Sequence, residues 1–208
     1  MNHLINKGSI VIISGPSGCG KSSLLKEVYK NINNYYFSIS TTTREIRDGE
    51  VDGVDYHFVS KKEFENDIKN GDFLEWAEVH GNYYGTSLKL ISQAIQENKI
   101  VIFDIDVQGH NIVRKKLNEI TTSVFITTPT LNELSNRLNS RGTDNIEIIE
   151  NRLNNSKIEI KEIDKYDYLI INDDLQKAVK QLLSVIECSK IKTTLFDKSK
   201  LIDKWLVD

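Results

Sequence analysis

The sequence predicts an α/β fold in which a parallel sheet is flanked by helices and carries a small mixed α+β insertion. Two observations lead to this prediction. Short apolar runs rich in β-branched residues alternate with segments of helical periodicity, as in proteins built around parallel strands. The stretch 38–87 interrupts that alternation with aromatic residues, glycines and turn residues, which is typical of short strands in an inserted subregion.

The first predicted strand is the run Ile10-Val11-Ile12-Ile13-Ser14, whose continuous apolar character suits a strand buried on both faces. Further strands of the main sheet are predicted at 37–40, 100–103, 123–127 and 168–171. Helices are predicted at 22–29, 87–98, 108–117, 131–140, 146–163 and 175–189. The tail 190–208 adds a predicted helix at 198–206, to which the sequence assigns no role.

The insertion begins with a polar stretch rich in turn residues and continues with a predicted strand at 56–59. A helix is predicted at 61–70, because Gly71 is well placed to end it. Short strands and turns are predicted over 73–86. The insertion therefore has its own mixed secondary structure within the larger alternating pattern.

Length and composition restrict the class of protein. The 208 residues suit one domain with a mobile subregion, and 27 Lys and Arg against 30 Asp and Glu weigh against a general nucleic-acid-binding protein. Cys19 and Cys188 have no metal-ligand spacing, which favours a reducing compartment without structural disulfides. No signal peptide and no apolar run long enough to span a bilayer are evident, so we expect a cytoplasmic protein with no membrane partner.

A phosphate-binding motif, G-x-x-x-x-G-K-[ST], lies between the first predicted strand and the first predicted helix. Glycines let backbone N–H groups converge on phosphates, Lys21 can reach the β- and γ-phosphates, and the Ser22 hydroxyl can ligate Mg²⁺. Cys19 lies where a thiol pKa can fall, although a small residue that fills the loop is the favoured interpretation. The motif predicts a nucleoside triphosphate site formed by Gly15, Pro16, Ser17, Gly18, Cys19, Gly20, Lys21, Ser22 and the following Ser23.

A second phosphate site is predicted in the insertion, where Arg44 and Arg47 lie three residues apart beside several hydroxyl groups. Arginine offers planar bidentate donors that match phosphate oxygens. The alternative, two solvated surface arginines, loses weight because a kinase needs a second site for its acceptor. Tyr56 and the pair Tyr83-Tyr84 can add hydroxyl donors, although aromatic packing is the favoured role for each taken alone.

Further charged residues are expected near the phosphates. Asp104 and Asp106 follow a buried strand and project to the same side, where Mg²⁺ is expected. Arg137 and Arg141 are four apart on a predicted helix, and Arg152 on the next helix can approach from the same side. A solvated helix surface is the alternative for these three arginines.

Taken together, these motifs resemble the guanylate kinase family, whose members phosphorylate GMP with ATP. The similarity extends in family order from about Gly8 to Glu187, and Ile46 is a departure because proline is common between the two arginines. This difference is expected to loosen the loop slightly without changing the chemistry. The matching segments are 15–23, 40–44 with Arg47, 49–53 with Asp55 and Tyr56, 73–75, 81–86, 104–109, 137–138, 141–143 and 172–174.

The resemblance implies a family domain over 8–187, with a core of 8–37, 88–130 and 165–187, a GMP-binding subregion of 38–87, a lid of 131–164 and a tail of 188–208. It implies ATP and GMP as substrates, dGMP as a further acceptor, no nucleic-acid partner, and a monomer or homodimer. Asn172 is assigned to the ATP site with the motif residues, and Mg²⁺ to Ser22 and, through water, Asp104. The implied GMP site consists of Ser40, Arg44, Arg47, Tyr56 and Tyr84 around the phosphate and Glu75, Thr86 and Asp106 around guanine.

A phosphate acceptor is already deprotonated at neutral pH, so no general base is expected. Catalysis is expected to come from alignment and from cations facing the transferred group, supplied by Lys21, Mg²⁺, Arg44 and the lid arginines Arg137, Arg141 and Arg152. Two alternative functions are less well supported by the sequence. An inactive interaction module of the same family is disfavoured by the intact phosphate motif, and a kinase for another monophosphate is disfavoured by Glu75 with Thr86.

Overall fold

The computed structural model describes residues 8–79, 81–140 and 145–207, which form two sheets and their covering helices. Within these residues the strands are β1 Ile10–Ser14, β2 Tyr35–Phe37, β3 Thr41–Thr42, β4 His57–Phe58, β5 Phe73–Val79, β6 Asn82–Ser87, β7 Ile100–Asp104, β8 Thr121–Thr127 and β9 Tyr168–Ile171. The helices are α1 Lys21–Tyr29, α2 Lys61–Asn70, α3 Leu88–Gln96, α4 Val107–Leu117, α5 Leu131–Ser140, α6 Ile146–Glu159, α7 Leu175–Ser189 and α8 Lys198–Val207.

The main sheet is parallel throughout, with the strand order β2-β7-β1-β8-β9, which confirms the predicted fold class. β1 lies at its centre, and all five of its residues are buried. Because successive strand residues face opposite sides, Val11 and Ile13 enter the apolar cluster on one face, whereas Ile10 and Ile12 enter the cluster on the other. Both faces of the sheet are therefore covered, as the apolar run predicts.

The insertion has a separate four-stranded sheet with the order β4-β3-β6-β5. β3 and β4 are parallel, and the other two pairs are antiparallel, so this sheet is mixed. The α2 helix begins with a capping box between Ser60 and Glu63 and ends at Gly71, as predicted. Its Phe64 is buried and stacks on Phe73 and Tyr83, which joins the helix to the β5–β6 hairpin.

The bounds of two predicted elements differ most from the structure. The strand predicted at 37–40 lies at Tyr35–Phe37, because these residues pair with β7 and the chain leaves the main sheet after the Ser38 N–H donates to the Ile102 carbonyl. The helix predicted at 146–163 ends at Glu159 and continues as a 3-10 helix over Ile160–Lys165. Among the described residues, no helix combines the length and the apolar character needed to cross a membrane.

A buried histidine on α4 makes the stability of the fold sensitive to acid. His110 is 1% exposed, and its ring stacks on that of Tyr166 with 4.0 Å between the centroids. Burial lowers the pKa of His110, and the cationic Arg114 and Lys165 act in the same direction, opposed by Asp167 and the neighbouring Asn111. The folded state therefore favours the neutral ring.

Because the folded pKa is depressed, the unfolded chain binds the proton more readily below the ordinary histidine pKa of about 6.5. We expect this contribution to stability to be present above about pH 6.5 and to be lost as the pH falls through the folded pKa. Each pKa unit of difference corresponds to about 1.4 kcal/mol. Urea unfolding of the wild type and of His110→Phe across this pH range measures this part of the free energy of unfolding. His57→Gln is the control. Equal acid sensitivity of the wild type and His110→Phe contradicts the prediction.

Candidate functional site

The phosphate motif forms a loop between β1 and α1 that only glycine can complete at two positions. Gly15 has φ 147°, and a Cβ there would lie 1.9 Å from the Ile126 carbonyl oxygen on β8. Gly20 has φ 95°, and a Cβ there would lie 2.5 Å from Nδ2 of Asn172. α1 then begins without a side-chain cap, so the N–H groups of its first turn remain available to an anion.

The loop borders a polar pocket of about 340 Å³. Lys21 extends across the loop, where its Nζ donates to the Gly15 carbonyl at 2.6 Å and to the Pro16 carbonyl at 3.4 Å. Burial raises the pKa of the Asp104 carboxyl, and the Lys21 ammonium opposes that shift. The lining residues are Gly15, Ser17, Gly18, Gly20, Lys21, Ser22, Asp104, Ile105, Asp106 and Glu159.

Asp104 and Asp106 line the same pocket, as predicted, although they lie in different elements. Asp104 is the last residue of β7, whereas Asp106 caps α4 and accepts a hydrogen bond from the Gly109 N–H at 2.8 Å. Asp106 therefore has a fixed orientation at the end of the main sheet.

The pocket offers oxygen donors of the kind that Mg²⁺ prefers. The Ser22 hydroxyl stands in the first turn of α1, and the Asp104 carboxylate faces the same space. In the described residues, no group of three or more His, Cys, Asp or Glu side chains is arranged to hold a metal ion directly. This donor set fits an ion that keeps several waters and is bound largely by substrate phosphates.

The predicted lid arginines differ in what they contact. Arg137 on α5 is held by Glu133 at 2.9 Å and donates to the Asn172 carbonyl at 2.9 Å and the Cys19 carbonyl at 3.5 Å. Arg152 on α6 donates to Oγ of Ser17 at 3.0 Å. Both side chains thus reach the phosphate loop, although neither lines the pocket in this conformation. Arg141 lies outside the described residues.

Two buried residues, Asn172 and Cys19, help to fix the conformation of the loop. Asn172 is 5% exposed, and its Nδ2 donates to the Cys19 carbonyl at 2.8 Å, so its side chain shapes the loop. Burial raises the pKa of the Cys19 thiol, and both cysteines are free. The structure thus favours the interpretation of Cys19 as a small residue that fills the loop.

In the insertion, Arg44 is held on several sides. Its guanidinium donates to the Glu50 carboxylate at 2.6 Å and to the Glu45 carbonyl at 2.7 Å, and it lies over the Tyr56 ring with 5.4 Å to the centroid. Glu50 also accepts a hydrogen bond from the backbone N–H of Arg47 at 2.9 Å. Its hydrogen bond with Arg44 lowers the pKa of the Glu50 carboxyl, so Glu50 remains ionised and fixes the arginine loop.

Of the other predicted phosphate ligands, Tyr56 and Tyr84 lie beside this arginine. The rings of Tyr56 and Tyr84 meet edge to face with centroids 5.9 Å apart, and Tyr84 raises the pKa of Arg44 through a hydrogen bond, after the larger effect of Glu50. Arg47 is exposed, and Ser40 lies just before β3. Tyr83 instead packs on Phe64 and Trp76, so aromatic packing is its role here.

Glu75 and Thr86 face each other across the β5–β6 hairpin. Oγ1 of Thr86 donates to Oε1 of Glu75 at 2.5 Å, and both residues are half-buried. This hydrogen bond holds the carboxylate on one face of the mixed sheet. A carboxylate beside a hydroxyl can accept from two adjacent donors of a planar ring and contribute a further polar contact.

Sequence reasoning assigned no role to Glu50 or Glu159. Glu50 stands within a matching motif, and its spacing of six residues from Arg44 is the one signal that suggests a pair. Glu159 shows no local signal, because it is one of many charged residues in the helical segment 146–159.

Comparison with known proteins agrees with this arrangement. The sequence model of the family described as Guanylate kinase matches residues 7–189. The chain is 51% identical over 205 residues to a guanylate kinase of Sulfurimonas denitrificans, covering 99% of this chain and 98% of that one. It is 51% identical over 201 residues to a guanylate kinase of Helicobacter hepaticus, covering 97% and 100% of the two chains. The crystal structure of guanylate kinase from Anaplasma phagocytophilum has a TM-score of 0.68 at 30% identity, covering 96% and 95%.

Proposed function

The chain belongs to the guanylate kinase family and is an ATP:GMP phosphotransferase, and from that premise we propose which residues perform the reaction. The γ-phosphoryl group of ATP passes to GMP, giving ADP and GDP in guanine nucleotide metabolism and recycling. The observation that carries this conclusion is the family match over 7–189, within which the phosphate loop and the Glu75–Thr86 pair are intact.

We propose that the family domain spans 8–187, with a core of 8–37, 88–130 and 165–187, a GMP-binding subregion of 38–87 and a lid of 131–164, followed by the tail 188–208. The two sheets support this division, because all five strands of the main sheet lie in the core and all four strands of the mixed sheet lie in the subregion. The lid contains α5 and α6, which carry Arg137 and Arg152.

The donor site is assigned to the phosphate loop. We propose that Lys21 exchanges the Gly15 carbonyl, which it contacts at 2.6 Å, for oxygens of the β- and γ-phosphates. Ser22 and, through water, Asp104 are assigned to Mg²⁺, which when bound neutralises charge on the phosphate oxygens. The ATP-binding set is Gly15, Pro16, Ser17, Gly18, Cys19, Gly20, Lys21, Ser22, Ser23 and Asn172.

The acceptor site is assigned to the insertion. Ser40, Arg44, Arg47, Tyr56 and Tyr84 are proposed to bind the GMP phosphate, and Glu75, Thr86 and Asp106 to bind guanine. Glu50 supports this assignment, because it holds Arg44 and the backbone of Arg47 in one conformation before the substrate arrives.

Catalysis then requires alignment and positive charge. The acceptor oxygen is anionic at neutral pH, so no residue has to remove a proton. Lys21 and Arg44 face the two phosphates, and we propose that Arg137, Arg141 and Arg152 add positive charge when the lid closes and excludes water.

Removing one acceptor arginine should weaken GMP binding selectively. A charge-assisted hydrogen bond is worth roughly 1.5–3 kcal/mol, so Arg44→Ala or Arg47→Ala is expected to raise the KM for GMP about tenfold or more while the KM for ATP stays nearly unchanged. Steady-state kinetics with each substrate varied in turn measures both constants. Lys62→Ala, which removes an exposed cation of the same subregion, is the control, and equal losses for ATP and GMP contradict separate sites.

The activity is tested by a coupled ADP-release assay with GMP, dGMP, AMP, UMP and dTMP in parallel. We expect turnover with GMP and, as a further acceptor, dGMP, and negligible turnover with the other three. Equal or faster turnover with AMP, UMP or dTMP contradicts the acceptor assignment. We also propose a cytoplasmic monomer or homodimer without nucleic-acid or membrane partners. The small excess of acidic residues supports the absence of a nucleic-acid partner.

A further inference from the structure

One carboxylate that lines the phosphate pocket has no role in the proposed binding sites or catalysis. Glu159 is the last residue of α6 and lines the pocket together with Lys21, Ser22, Asp104 and Asp106. Its Oε2 is buried and has no hydrogen-bond partner among the described residues. A buried oxygen of this kind normally has a partner, so its position beside the phosphate loop calls for a polar group that the protein itself does not supply.

The charges around Glu159 indicate which kind of group fits. Burial raises the pKa of the Glu159 carboxyl, Lys21 opposes the shift, and Asp106 reinforces it. Among the described residues, three carboxylates line this pocket together with one lysine. ATP brings further negative charge, which these carboxylates repel. A hydrated cation lying between them offsets the repulsion, and its water molecules can donate hydrogen bonds to the carboxylate oxygens.

We propose that Glu159 is a positioning residue for Mg²⁺–ATP, accepting hydrogen bonds from water in the hydration shell of the ion. This inference rests on the proposed function and deepens its metal site. Ser22 and Asp104 approach the ion from α1 and β7, whereas Glu159 approaches it from the lid. Binding of Mg²⁺–ATP is thereby coupled to the position of α6, which also carries Arg152.

The test compares binding of a nonhydrolysable ATP analogue with and without Mg²⁺ by isothermal titration calorimetry, in wild type and Glu159→Gln. Groups that hydrogen-bond to the ligands of a metal typically contribute 10–100-fold to its affinity. We expect Glu159→Gln to reduce the Mg²⁺-dependent gain in affinity about tenfold. Without Mg²⁺ the variant should bind the analogue as tightly as wild type or more tightly, because one repelling charge is gone.

Glu162→Gln is the matched control, since Glu162 lies three residues further along and pairs with Lys165. It should keep the full Mg²⁺-dependent gain. An unchanged gain in Glu159→Gln overturns the inference, and so does an equal loss with and without Mg²⁺, which indicates that Glu159 acts on Lys21 or on the fold. If thermal denaturation shows that Glu159→Gln is unfolded, Glu159→Asp is tested in its place. The shorter aspartate side chain holds its carboxylate further from the pocket, so it should also reduce the Mg²⁺-dependent gain in affinity. A full gain in Glu159→Asp overturns the inference. Absence of any Mg²⁺-dependent gain in wild type contradicts the proposed metal site itself.

Discussion

Lys21→Met is expected to lower kcat by about 10²–10³-fold or more while the protein remains folded. The side chain is half-buried, and its ammonium contacts the Gly15 and Pro16 carbonyls of the phosphate loop. Methionine keeps an unbranched side chain that is one atom shorter and removes the charge. That charge is proposed to face the transferred phosphoryl group, where negative charge is redistributed in the transition state. kcat should therefore fall, in addition to any change in the KM for ATP.

Single-turnover and steady-state kinetics with GMP and ATP measure the effect, and circular dichroism with thermal unfolding checks the fold. Lys26→Met is the matched control, because Lys26 is an exposed lysine in the last turn of the same helix. The control should retain nearly full activity. Near-normal turnover in a folded Lys21→Met protein would show that the phosphate loop is not the donor site.

Glu75→Gln is expected to cut kcat/KM for GMP by about a hundredfold or more and to leave ATP binding intact. Guanine presents N1–H and the 2-amino group as adjacent donors, which one carboxylate accepts together; a glutamine replaces one acceptor oxygen with a donor amide. The Thr86 hydroxyl holds Oε1 of Glu75 at 2.5 Å, so the carboxylate is already oriented on the hairpin. The substituted amide keeps the shape of the side chain and loses the match to guanine.

The same hydrogen-bonding pattern predicts which base is rejected. Adenine has an unprotonated N1 and no 2-amino group, so it leaves the Glu75 carboxylate desolvated without a partner. Sites built to hydrogen-bond a substrate can reject an analogue that lacks the partner by roughly 10⁴–10⁵, and AMP should therefore be a negligible acceptor. The test measures GMP and AMP kinetics of the wild type and of Glu75→Gln. Glu78→Gln, on the exposed end of β5, is the control. An unchanged kcat/KM for GMP in Glu75→Gln means that guanine is recognised elsewhere.

The features that the sequence by itself determined are those encoded by neighbouring residues. The run 10–14 predicts a doubly buried strand, because every residue in it is apolar or small, and the adjoining motif predicts the phosphate loop, because its glycines and Lys21 act within a few residues. Asp104 and Asp106 follow a buried strand, so their common pocket was also predictable. Motif order along the chain also indicated the family, which the comparisons show, and predicted an acceptor site containing Glu75 and Arg44.

Only the tertiary structure decided how distant segments support these local motifs. Arg137 reaches the carbonyl of Cys19, Asn172 holds the same carbonyl, and Glu159 enters the phosphate pocket from the end of α6. The two contacts with Cys19 join residues more than a hundred positions apart, and Glu159 comes from a different helix than the loop it faces. None of these arrangements follows from a local spacing. The bounds of β2 have the same origin, because a short half-buried strand is defined by its pairing with β7 more than by its own residues. Local chemistry thus predicts which groups bind phosphate, whereas packing of the sheet and lid helices decides which groups hold them in place.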